Sequence, residues 1–193
     1  MTARTHDVAA LTALILYVIA VPPESLTVAT GLTAILANQL GGIAPDIDQP
    51  TAPLWRNLPV GRYFGRIFGA LVGGHRFFCH SLIGLAAFSV GSLLVLQFIQ
   101  PLLPNVDISF VWVAFILGVL SHLFMDTLTK EGVPWLLPLP YKIGLPPVRQ
   151  WRVTTGKKVE MLFVLPLLIA IATWLCASNY SELAALLQNN LTK

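Results

Sequence analysis

Five long apolar runs, near residues 8–21, 26–44, 79–99, 108–128 and 159–177, constrain this chain more than any other feature. A hydrocarbon layer about 30 Å thick is crossed by roughly 20 apolar residues in a helix. Inside that layer the backbone polar groups must find partners within the protein, and a continuous apolar run does so as a helix. Pro22 and Pro23 stop the first run and Pro45 the second, because proline cannot donate to a continuing helix. Pro101 and Pro104 close the third. Only 11% of the 193 residues are charged and 55% are hydrophobic, too little charge to cover a soluble surface. The expected fold is all-α: a polytopic transmembrane helical bundle of about five membrane helices, forming a single integral membrane domain over residues 1–193. The stretch after Met1 lacks a basic segment followed by an Ala-x-Ala site, so the first helix is expected to be retained. Cys79 and Cys176 fall near opposite ends of their helices and are not expected to pair.

Five crossings put the N-terminus and both long loops, 45–78 and 129–158, on one side. That side carries Arg4, Arg56, Arg62, Arg66, Arg76, Lys130, Lys142, Arg149, Arg152, Lys157 and Lys158, eleven of the twelve basic residues; only Lys193 lies opposite. Lys and Arg accumulate in cytoplasmic loops. The expectation is a multi-pass inner-membrane protein with a cytoplasmic N-terminus. Over residues 58–73, Arg62 and Arg66 interleave with Tyr63, Phe64, Ile67, Phe68 and Leu71. This pattern predicts a short basic amphipathic helix in the headgroup layer, with membrane lipid as its partner. The 129–158 loop holds Pro134, Pro138, Pro140, Pro146 and Pro147 and is expected to be largely irregular, with Trp135 and Trp151 as interfacial anchors.

All four histidines and most carboxylates collect at that same face. His6 precedes the first predicted helix, and His75 and His80 stand at the entry to the third. His122 lies in the last two turns of the fourth, with Asp126 one turn further on the same helix face. Asp46 and Asp48 follow the second helix, Glu131 follows the fourth, and Glu160 opens the fifth. None of these positions was needed to assign the spans, yet they gather at one side from five helix ends. Imidazole with carboxylate is the usual ligand set of zinc and, with more oxygen, of manganese or iron. The expected ligands of one or two divalent ions are His6, Asp46, His75, His80, His122 and Asp126. Asp48 or Glu160 would complete a second ion or serve as general base, and Arg76 would grip a phosphate with its planar fork. Taken singly, each has a plainer account as a cap, a topogenic charge or a polar pair between helices. Together they do not: an ionisable group within an apolar run costs about 2.5–3.5 kcal/mol at mid-depth, less near its end. Cys79 reads as a small buried side chain rather than a thiolate ligand. The sequence has no His-Glu-x-x-His, no glycine-rich phosphate loop, no Gly-x-Ser-x-Gly and no evident nucleic-acid element.

The ordered set Thr5-His6, Pro45-Asp46-Ile47-Asp48, His75-Arg76-x-x-x-His80-Ser81, Ser121-His122-x-x-x-Asp126-x-Leu128-Thr129-x-x-Gly132 and Thr155-Gly156-x-x-x-Glu160 resembles a known family. It is that of the membrane-bound, metal-dependent hydrolases often called YdjM-like, which includes a LexA-regulated inner-membrane member. Phe77 and Cys79 depart from the glycine and threonine usual at those places; the ligand positions match. The resemblance implies hydrolysis, and a more distant similarity to zinc-dependent phospholipase C and P1-type nucleases suggests a phosphoester, such as that of a lipid, as substrate. A rival expectation is a divalent-metal transporter, or a metal-binding membrane protein without catalysis. Transport sites usually lie near the bilayer midplane on broken helices, whereas these ligands sit at one mouth.

Overall fold

A computed structural model describes residues 1–23, 26–74, 76–139 and 141–191, and they are helical wherever they are regular. Helix α1 spans Ala3–Ala20 and α2 spans Val28–Ile43. A 3₁₀ turn, Ala44–Asp48, follows at Pro45, and then come the short helix α3, Pro53–Arg56, and α4, Gly61–Leu71. Helix α5 covers Leu82–Ile99 and α6 covers Ile108–Thr127. A π-helical turn, Glu160–Val164, leads into α7, Leu165–Ser178, and α8 spans Tyr180–Leu191. Local chemistry sets these boundaries. Thr27 caps α2 by accepting from Thr30 N, Ser81 caps α5 through Gly84 N, and Asp107 caps α6 through the amides of Ser109 and Phe110.

Among the described residues, four stretches are long and apolar enough to cross a membrane: Ala3–Ala20, Leu82–Leu102, Ile108–Thr127 and Glu160–Ser178. Helix α2, with 16 residues and hence about 24 Å of helix, is shorter than these four stretches. The first helix starts five residues earlier than its apolar run of 8–21, and its polar first turn is buried: Thr5 and His6 are both enclosed.

Despite its length, α2 lies beside α6 along its course. Thr30 Oγ1 accepts from Asp107 N at one end, and His122 Nδ1 meets Gly42 O at the other. The two helices therefore run parallel. Close approach is the means: a Cβ on Gly41 would stand 2.1 Å from Phe115 O, and one on Gly118 would stand 2.1 Å from Asn38 O. Small residues at such crossings let dispersion and short polar contacts hold helices together where no hydrophobic force acts. Asn38 adds a hydrogen bond to Ala114 O at 3.0 Å. Half of the α6 span is buried against 6% for α5 and for α7, so α6 is central and the latter two are peripheral.

The loop after α6 is more ordered than its prolines suggest. Val153 N donates to Leu128 O and Lys130 N to Val153 O, while Val133 and Ile143 exchange both backbone bonds. Trp135 does not anchor outward. Its indole donates to Thr127 Oγ1 and its carbonyl accepts from Leu82 N, which ties the loop to α5 and α6. Trp151 is exposed, as an anchor would be.

Candidate metal centre

The start of α1, the turn after α2, the turn before α5 and the last turns of α6 meet at one end of the bundle. There His6, Asp48, His80, His122, Asp126 and Glu160 are all at most 1% exposed. A cluster of this kind is costly to bury unless its members satisfy one another or a bound ion.

His80 Nε2 lies 3.7 Å from Asp46 Oδ1 and 3.7 Å from Asp126 Oδ2. His122 Nε2 lies 3.6 Å from the same Asp46 oxygen and 3.8 Å from the same Asp126 oxygen. Each of these two imidazole nitrogens thus lies within 3.8 Å of both an Asp46 and an Asp126 oxygen, and the four side chains come from three chain segments. Ligands held tetrahedrally at about 2.0–2.2 Å from zinc stand about 3.3–3.6 Å apart, close to these four imidazole–carboxylate separations. The outward sides of the rings are fixed too. His122 Nδ1 contacts Gly42 O at 2.6 Å, which puts its proton there and leaves Nε2 with a lone pair; that Nε2 is buried and has no hydrogen bond among the described residues. His80 Nδ1 faces Asp48 Oδ2 at 3.3 Å. Imidazoles that ligate metals are oriented in this manner by a carbonyl or carboxylate behind the ring.

His6 stands on the other oxygen of Asp126, with Nε2 3.4 Å from Oδ1, and its ring stacks on His122 with centroids 3.8 Å apart. Two groups of three, His6–His122–Asp126 and Asp46–His80–His122, each bring their ligand atoms within 4.8 Å of one another. One imidazole nitrogen serves one ion, so the two groups cannot each hold an ion through His122. The amino group of Met1 also contacts Asp126 Oδ1.

Arg76 closes the opposite side. Its guanidinium donates to Asp126 Oδ2 at 2.6 Å and to Thr129 Oγ1 at 2.9 Å, and lies 3.4 Å from Glu131 Oε2. Its backbone amide donates to Asp48 Oδ2, and its φ of +57° is in the region that side chains seldom adopt. Asp46, 22% exposed, and Glu131, 61% exposed, mark where the cluster reaches solvent.

Glu160 lies apart from those two imidazoles and their two aspartates. Its Oε1 accepts from Thr2 N, Thr2 Oγ1 and Thr5 Oγ1, and Oε2 accepts from Gly156 N, all within 2.6–2.8 Å. Its carboxylate clamps the first turn of α1, which carries His6, to the entrance of the seventh helix. His75 lies outside the described residues. Burial and the nearby Asp48 charge push the Cys79 thiol up to about 12, in keeping with Cys79 as a small buried side chain. The contact that sequence reasoning missed is Gly42 O behind His122; a backbone carbonyl leaves no mark beyond the Gly41-Gly42 pair that admits it.

A helical membrane protein that gathers buried imidazoles and carboxylates at one end of its bundle is thereby defined. The chain belongs to the YdjM inner membrane protein family, whose model matches residues 1–186. It is 34% identical over 109 residues to the inner membrane protein YdjM of Escherichia coli, covering 54% of this chain and 48% of that protein. Shigella flexneri YdjM matches equally, and Bacillus subtilis YvsG is 29% identical over 108 residues, 55% of this chain and 58% of that protein. These alignments span about half the length of the relatives. No solved structure matches.

Proposed function

We propose that this protein is a metal-dependent hydrolase working at the cytoplasmic face of the inner membrane, on a phosphoester such as that of a lipid. The observation that supports the reading is that His80 and His122 each stand within 3.8 Å of both Asp46 and Asp126, with the far side of both rings held by Asp48 and by Gly42 O. Those four residues would hold one divalent ion, with zinc favoured by the two imidazoles. His6, on the second oxygen of Asp126, would complete the shell or share a second ion. The chemistry such an ion supplies is activation of water near neutral pH and polarisation of a phosphoryl oxygen.

The remaining residues have definable work in this reading. Asp46, the most exposed of the four, borders the approach of substrate. Arg76 borders Asp126 with a planar guanidinium suited to two phosphoryl oxygens. Asp48 orients His80, and Glu160 positions the turn that carries His6, rather than taking up a proton from water. The cytoplasmic assignment rests on the eleven basic residues that share the cluster's side.

The test is to purify the full chain, measure bound metal by elemental analysis, and assay lipid and nucleotide phosphoesters. The reading expects a bound divalent ion and turnover of at least one phosphoester that chelation abolishes. Metal-dependent flux across vesicles without turnover would favour a transporter instead.

A further inference from the structure

Helix α4 is amphipathic with its large side chains outward. Its glycines at positions 61, 65 and 69 are buried, while Tyr63, Phe64, Ile67 and Leu71 are exposed alongside Arg62 and Arg66. The buried stripe rests on the turn that ends α2. A Cβ on Gly65 would stand 2.6 Å from the Trp55 ring, and one on Gly69 would stand 2.5 Å from Asp48 O. Trp55 is itself tied to that turn, its indole donating to Ile47 O at 2.7 Å. Just beyond α4, Gly74 donates its amide to Gly69 O, and the amide of Arg76 donates to Asp48 Oδ2. The C-terminal end of α4 and the chain just beyond it therefore meet Asp48, through Gly69 and Arg76, and Asp48 faces His80 Nδ1.

We propose that α4 is a membrane-surface lever: it seats on anionic lipid headgroups, and its seating sets Asp48 and so the orientation of His80 in the metal centre. This rests on the metal-centre reading above. The occupant follows from position and charge. The helix sits on the turn where α2 ends, level with the other helix ends that form the cluster, where a bundle leaves the hydrocarbon. Its outward face offers two guanidiniums, aromatic rings and aliphatic side chains, and residues 61–71 contain no carboxylate. Such a face fits an anionic bilayer surface.

The experiment places the full chain in nanodiscs of phosphatidylcholine alone or of an equal mixture with phosphatidylglycerol. Hydrogen exchange over residues 61–71 reads the seating, and titration with cobalt(II) reads the centre. In the anionic discs, exchange should slow and cobalt should bind about tenfold more tightly, the scale expected of basic side chains at an anionic surface. Arg62→Gln with Arg66→Gln should return both values to those of the neutral discs. Gly69→Ala, which drives a methyl against Asp48 O, should keep the slow exchange and lose the gain in cobalt affinity. Gly91→Ala, where an added Cβ meets nothing within 4 Å, should behave as the unmodified chain and control for helix substitutions. Equal cobalt affinity in both discs, or a double arginine variant that keeps the difference, overturns the lever and leaves the metal centre standing. Unmodified Gly69→Ala affinity overturns the coupling alone. Absence of cobalt binding in every disc overturns both.

Discussion

The two ends of the bundle solve the same packing problem with different materials. Away from the cluster, α1, α2 and α6 meet through Leu14, Ala34, Val111 and Ala114, and polar atoms appear chiefly as helix caps around Thr27, Thr30 and Asp107. At the other end the same three helices meet through His6, His122, Asp126 and the carbonyl of Gly42. Small apolar side chains and close backbones suffice to join these helices, as the first region demonstrates. Buried ionisable groups are therefore not required for cohesion, and their gathering at one end, among the described residues, fits a role there other than packing.

Breaking the cluster should abolish metal binding and leave the bundle assembled. His122→Ala and Asp126→Asn should each remove the bound ion and all chelator-sensitive turnover, read by elemental analysis beside a circular dichroism spectrum that stays helical. Retention of metal by both would erase the contrast between the two ends. A smaller effect is expected from Glu160→Gln, which loses the acceptor facing Gly156 N and loosens the first turn of α1. Outer residues of metal sites contribute about 10–100-fold in metal affinity or activity, and a competition titration against a chelator should find a loss in that range. Arg76→Lys should keep the metal and raise KM for a phosphoester about tenfold, since a point charge does not reproduce the fork; an unchanged KM would remove Arg76 from substrate binding. At the apolar end, Val111→Ala should cost about 1 kcal/mol of packing and leave metal content normal, as thermal unfolding with parallel metal analysis would show. Least of all, Cys79→Ala should change neither metal content nor affinity.

How much of this was legible beforehand differs between the same two regions. Apolar runs and prolines located the helices, because a membrane span must be both long and apolar. They misplaced the start of α1. The first turn of α1 is polar and looked like a leader to the helix, yet Glu160 collects its donors across 158 residues of sequence. A contact so distant has no local signature. In the cluster, His122 and Asp126 were readable as a pair because a helix puts residues four apart on one face. The partners behind the rings were not, since Gly42 O is backbone and Asp48 approaches His80 only through a turn and a helix between them. The inward turn of Trp135 was hidden for a similar reason: its partners are Thr127 Oγ1 and the amide of Leu82.

The central claim is that one end of the bundle is a metal centre, and bound metal in the purified chain tests it most directly. Elemental analysis of the protein in lipid discs, with His122→Ala prepared in parallel, should find a tightly held divalent ion in the unmodified chain and none in the variant. A folded, helical, unmodified chain that takes up no zinc, manganese or iron after dialysis against each would contradict the account.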